Sequence, residues 1–155
     1  MIFDDCAIPD LGQTPEFLDD HRLLRTEQAP THGFMTLKFE IATEADEATN
    51  YQINGYQDFN GANLLYFASY PTIADVCASH THYVAEQYGV WEFVTRSSPR
   101  GRDLFYFGNA NLGDWITCAF KLNNSALNGL AVRIDMSRSK TGTCIGRQFV
   151  VRESP

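Results

Sequence analysis

The chain has 155 residues, a formal net charge of −7, and 44% hydrophobic and 13% aromatic residues. That length suits one domain with a substantial core, and the apolar content argues against disorder. The acidic balance argues against non-specific nucleic-acid binding. No apolar run is long enough for a membrane span, and residues 1–5 lack the basic-then-apolar pattern of a signal peptide. The charge is uneven along the chain: residues 1–95 carry three basic and fifteen acidic side chains, residues 96–152 nine basic and three acidic. The basic half suits a phosphorylated ligand or an acidic carrier protein, or else forms the solvent-facing side of strands.

Residues 1–31 read as an irregular, acidic N-terminal extension interrupted by Pro9, Gly12, Pro15 and Pro30. A short helix is expected over 15–25, with Thr14 as its cap and Arg22 and Arg25 in its last turns. Residues 32–155 read as a single domain. Met35, Leu37, Phe39 and Ile41 alternate with Thr36, Lys38 and Glu40, which predicts one strand over 34–41 with a wet face. Residues 42–50 read as a loop or edge. From 63 to 87 a broad apolar surface predicts one long buried helix, kinked or divided at Pro71 and ended by Gly89. Strands follow at 90–96, 103–107, 114–122, 129–137 and 143–152, with turns at 97–101 and 139–142. The element order is α+β: a curved antiparallel sheet wrapped around one long central helix. Such a sheet leaves edges for a second copy to cover.

Cys6, Cys77, Cys118 and Cys144 show no metal-ligand spacing, and the last three sit in apolar segments as small buried hydrophobes. Reduced thiols in a cytoplasmic setting are expected. His80 and His82 are two residues apart and do not share a helix face, so no metal site is expected.

The segment Asp58-Phe59-Asn60-Gly61-Ala62-Asn63-Leu64-Leu65-Tyr66 resembles the hot-dog thioesterase signature, with Ala62 where thioesterases often carry His. Extended to Pro71, and taken with Phe105-Tyr106-Phe107-Gly108-Asn109-Ala110-Asn111-Leu112-Gly113-Asp114, it resembles the double hot-dog acyltransferase/decarboxylase family of leinamycin-like polyketide clusters. Only the second module of that family is matched, over roughly residues 34–152. The resemblance implies a hot-dog fold acting on acyl thioesters. It implies pairing as well, either with a second copy or with another hot-dog module.

Within these motifs, Asp58 is placed to act as a general base toward water, or to cap the turn at Asn60-Gly61. Asn60 and Asn63 can donate to a thioester oxygen or cap a helix, and Gly61 can offer an exposed amide to an oxyanion. The Tyr66 phenol can protonate an enolate, bind a carboxylate, or simply pack. Asn109 and Asn111 flank a glycine-containing turn, as substrate contacts or as turn residues. Arg96, Arg100 and Arg102 surround another turn and suit the phosphates of coenzyme A or phosphopantetheine, or form a solvated hairpin tip. No cofactor is expected beyond coenzyme A or phosphopantetheine as the substrate carrier. The expected reaction is acyl transfer, with or without decarboxylation, or thioester hydrolysis. The alternative is a non-catalytic module that docks a carrier protein or completes a partner's site. A dehydratase or isomerase of the same fold needs a His before the helix, and residues 51–63 contain none.

Overall fold

The computed structural model describes residues 16–62, 64–124 and 129–153. Cys6, Thr14, Pro15 and Asn63 lie outside the described residues, so the expectations placed on them have no structural counterpart here.

Helix α1 (Glu16–Arg25) leads to a hairpin of β1 (Thr31–Phe34) and β2 (Leu37–Glu40), paired from Thr31↔Glu40 to Phe34↔Leu37. The single strand expected over 34–41 is therefore a turn and a second strand. Met35 and Thr36 sit at positive φ, +54° and +25°, and reverse the chain. The alternation misled because the apolar spacing runs through the turn without Gly, Asn or Asp to mark it. Phe39 and Ile41 are still buried as the pattern requires.

The main sheet has five antiparallel strands in the order β3-β5-β6-β7-β4. They are β3 (Glu47–Gln52), β4 (Pro99–Tyr106), β5 (Trp115–Leu122), β6 (Leu130–Arg138) and β7 (Cys144–Arg152). The edge expected within 42–50 is β3. The last three strands fall where alternation placed them, with Ile116, Cys118 and Phe120 and then Val132, Ile134 and Met136 turned into the core.

Between β3 and β4 the chain is helical in three pieces: α2 (Ser69–Ser79), α3 (His82–Gln87) and α4 (Val90–Arg96). Only α2 packs as the central helix, through Ile73, Ala74, Cys77 and Ala78. Pro71 is its third residue, where a missing N–H costs nothing, so it starts the helix and does not kink it. The long helix is broken at Thr81, whose Oγ1 donates to the Ala78 carbonyl and accepts from the Val84 amide. Glu47 of β3 takes the next two amides, from His82 at 2.5 Å and Tyr83 at 3.3 Å. A side-chain cap and an acceptor from another element thus start a new helix. The strand expected at 90–96 is α4: Gly89, at φ +77°, turns the chain, and only Phe93 is buried. Its β-branched and aromatic residues are used as a surface helix with one anchor.

The outer face of the sheet is covered too. Leu24 of α1 and Phe39 and Ile41 from the hairpin region pack on Phe107, Ala131 and Phe149. Leu24 thereby packs α1 against this face of the sheet.

Candidate active site

The two sequence motifs meet. Residues 58–62 and 64–66 do not enter a helix. They fold back on themselves, with the Asn60 amide donating to the Leu64 carbonyl at 3.0 Å and the Tyr66 amide to the Asp58 carbonyl at 2.6 Å. Phe59 and Leu65 form an antiparallel bridge. Asn60 Oδ1 accepts from the Ala62 and Leu64 amides, 3.0 and 3.2 Å, and these bonds divert the chain from helix. The loop and the start of α2 are then tied to the end of β4 and the residues after it by three bonds. Asn109 Oδ1 accepts from the Leu65 amide at 3.0 Å, the Tyr70 hydroxyl donates to the Gly108 carbonyl at 2.7 Å, and the Tyr106 hydroxyl donates to the Phe67 carbonyl at 3.0 Å. Gly146 permits this approach, because a Cβ there would meet the Tyr70 ring at 3.2 Å.

Asp58 is buried at 4% exposure beneath this loop. Its Oδ2 accepts from the Tyr51 hydroxyl at 3.0 Å and the Asn54 amide at 2.7 Å. Burial, and then the bond to Asp58, push the Tyr51 phenol up to about 12, so Tyr51 serves as a neutral donor. Burial likewise raises Tyr70 to about 12. Asn60 and Asn109 each use their carbonyl oxygen for two backbone amides. That fixes the orientation of both side chains and leaves their NH2 groups as the donating ends. Gly61 is exposed, has no positive φ, and has open space where a Cβ would stand, so its backbone is approachable without being strained. Tyr66 is 42% exposed and stacks edge-on against Phe67.

The amides at the start of the helix are not open to a ligand in the way the sequence suggests. The Ser69 and Tyr70 amides donate to the Tyr66 and Phe67 carbonyls, and the third helical residue is Pro71. Asn111 belongs to a turn, its amide donating to Asp114 Oδ2 at 2.9 Å. The three arginines do not form one fork. Arg102 faces inward, bonded to Asp75 at 2.6 Å, Gln148 at 2.6 Å and the Pro71 carbonyl at 3.1 Å. Arg100 reaches Glu153 at 3.6 Å on the surface, and Arg96 is exposed at the end of α4. Reading the sequence missed Tyr51, Tyr70 and Tyr106. Their signal was their place inside or beside the two motifs, but a phenol near a motif does not reveal which carbonyl or carboxylate it will meet.

Leu64, Phe67 and Leu112, in or beside the two motifs, and Tyr56 just before the first are exposed apolar side chains. Away from the loop, an apolar cavity of about 250 Å³ opens between α3 and the ends of β5 and β6. Among the described residues no cluster of three or more His, Cys, Asp or Glu is placed to hold a metal ion, and no helix is long and apolar enough to cross a membrane.

No protein-family model and no curated protein sequence matches this chain. Solved structures do. A thioesterase from Thermus thermophilus, complexed with coenzyme A and Zn, superposes with a TM-score of 0.61 at 10% identity, covering 72% of this chain and 85% of that one. A hypothetical protein from Staphylococcus aureus in complex with CoA gives 0.60 at 13% identity and 72% coverage of both chains. A 1,4-dihydroxy-2-naphthoyl-CoA thioesterase from Synechocystis gives 0.57 at 12% identity, over 69% of this chain and 81% of that one. With its strand order and its helix-filled sheet, the chain has the hot-dog fold.

Proposed function

We propose that this protein binds acyl thioesters of coenzyme A or an acyl carrier protein and hydrolyses them at the 58–66 loop, in a site that a second hot-dog module completes. The observation that carries this reading is the convergence of the loop with residues 106–109 over a buried carboxylate. The likeness to thioesterases supports the same substrate class. In this reading Asp58 takes a proton from water as the water oxygen attacks the thioester carbonyl carbon. The Gly61 amide and the NH2 of Asn60 face the oxyanion. The carbon–sulfur bond then breaks and the thiolate leaves and is protonated. Arg96 and Arg100 are the exposed cations for the carrier's phosphates. Acyl transfer, with or without decarboxylation, in polyketide-like secondary metabolism is the variant in which another nucleophile replaces water. The resemblance to the paired-module family supports it, and a cytoplasmic setting fits either version.

A second reading, a non-catalytic module, is favoured by two observations: Asp58 is buried with two donors on one oxygen, and the first α2 amides already have acceptors.

The test is release of free thiol from acetyl-, malonyl- and benzoyl-coenzyme A by the purified chain, with the thermal midpoint measured alongside. Asp58→Asn keeps an acceptor for Tyr51 and Asn54 but removes the base, so turnover should fall about 10²-fold or more with little change in midpoint. Wild-type turnover in a folded Asp58→Asn protein removes Asp58 from the mechanism. Absence of turnover, both alone and with a companion hot-dog chain, favours the second reading.

A further inference from the structure

Thr49 on β3 stands directly across the ladder from Cys118 on β5. Its Oγ1 donates to the Cys77 carbonyl on α2 at 3.2 Å. This bond holds the central helix over that rung of the sheet, so Cys77 and Cys118 face each other across the helix–sheet seam. Both side chains belong to the same buried cluster between helix and sheet. Both are buried, at 2% and 0% exposure, and Ala74, three residues before Cys77, is small enough to let helix and sheet approach. Cys144 lies with the outer-face cluster and so does not compete.

We infer that Cys77 and Cys118 form a redox-modification site, at which a low-molecular-weight disulfide or a hydroperoxide converts the two thiols into a disulfide joining the central helix to β5. Two S–H bonds break and one S–S bond forms. Two protons are released, and two electrons pass to the oxidant, which leaves as two thiols or as water and the corresponding alcohol or a second water. Interaction with Cys77, together with burial, pushes the Cys118 thiol well up. Burial makes the reaction depend on brief opening of the seam at the edge strand β3, so it is slow in the folded protein. The product ties α2 in place along the strand that the sheet edge supports, and α2 begins at the candidate site.

The experiment treats the folded full chain carrying Cys6→Ser and Cys144→Ser with glutathione disulfide and, separately, with hydrogen peroxide. The expected result is a mass loss of about 2 Da, reversed by dithiothreitol, a non-reducing peptide map joining residues 77 and 118, and a raised thermal midpoint. Adding either Cys77→Ser or Cys118→Ser should abolish the internal bond and leave a glutathione adduct on the remaining thiol. The inference is overturned if the folded protein shows no mass loss while urea-unfolded protein does. It is equally overturned if oxidation adds oxygen or a lasting glutathione adduct to the chain that retains both cysteines. The peptide map of the wild-type chain decides even where the substitutions unfold the protein.

Discussion

The two faces of the sheet are built by different means. The inner face is sealed by volume: Ile116, Cys118, Ile134 and Met136 are at most 1% exposed beneath Ile73, Ala74 and Cys77 of α2. The outer face is fastened by buried charge. Arg147 pairs with Asp135 across the β6–β7 ladder and donates to the Leu24 carbonyl at 2.8 Å and Glu27 at 2.9 Å, which ties α1 to the sheet. Arg133 donates to the Glu40 and Ile41 carbonyls at 2.5 Å and to the Thr43 carbonyl at 2.8 Å, which ties down the end of the hairpin. Apolar packing tolerates any side chain of the right size. A guanidinium that donates to named carbonyls fixes where an added element must sit.

The sharpest way to break this contrast is to remove the one carboxylate that both arginines share. Asp135 contacts Arg133 at 2.9 Å and also pairs with Arg147. Asp135→Ala leaves two buried cations without it and should cost about 3–5 kcal/mol, read from chemical denaturation. Adding Arg147→Met should recover part of that loss, since an apolar side chain needs no counter-ion. A double variant no more stable than Asp135→Ala would mean the charges are not what holds this face.

The inner face should respond in proportion to the volume removed. Ile116→Ala opens a cavity at a fully buried position and should cost about 2–5 kcal/mol, with no rescue by any change of charge or salt. Measuring it at low and high ionic strength beside Asp135→Ala separates the two faces. A salt-dependent loss for Ile116→Ala would contradict the contrast.

The same contrast explains what was legible in the sequence. Period-two alternation in β5, β6 and β7 is written in apolar side chains, and these strands were placed to within a residue or so. Arg133 and Arg147 sit at alternate positions that read as solvent-facing, because sequence alone cannot show that α1 and the hairpin cover them. The hairpin was missed for a related reason: Met35 and Thr36 turn at positive φ without the residues that announce it. At the candidate site the sequence shows the motif but not how its residues are bonded. Leu64-Leu65-Tyr66-Phe67 reads as buried helix, yet Leu64 and Phe67 are exposed, because Asn60 captures the amides that a helix would need. That outcome is decided by a competition among local hydrogen bonds, and periodicity does not record it. Arg102 was read as a surface cation for the same reason as Arg133 and Arg147; its partner, Asp75, lies on a different element.

The smallest expected effect comes from moving the outer-face chemistry into water. Asp46 is a solvated counterpart of Asp135, with Oδ1 on Lys121 Nζ at 2.7 Å and Oδ2 accepting from the Leu122 amide at 2.8 Å. Slight burial raises its pKa, but the Lys121 bond, the Leu122 amide and the charges of Lys121 and Arg133 outweigh it, and the net shift is downward from 3.8. A carboxylate with a depressed folded-state pKa contributes stability that is present above the ordinary value and is lost as pH falls through the lower one. The side chain is 41% exposed, so solvent screening keeps the contribution small. Asp46→Asn should therefore lower stability at pH 7 by no more than about 1 kcal/mol, and added salt should shrink that gap. The gap between wild type and variant in thermal midpoint should also narrow as pH falls below 3.8. A gap that stays constant from pH 7 to acid would show that Asp46 acts through its shape and its bond to Leu122, and that ionic fastening in this protein is confined to the buried face.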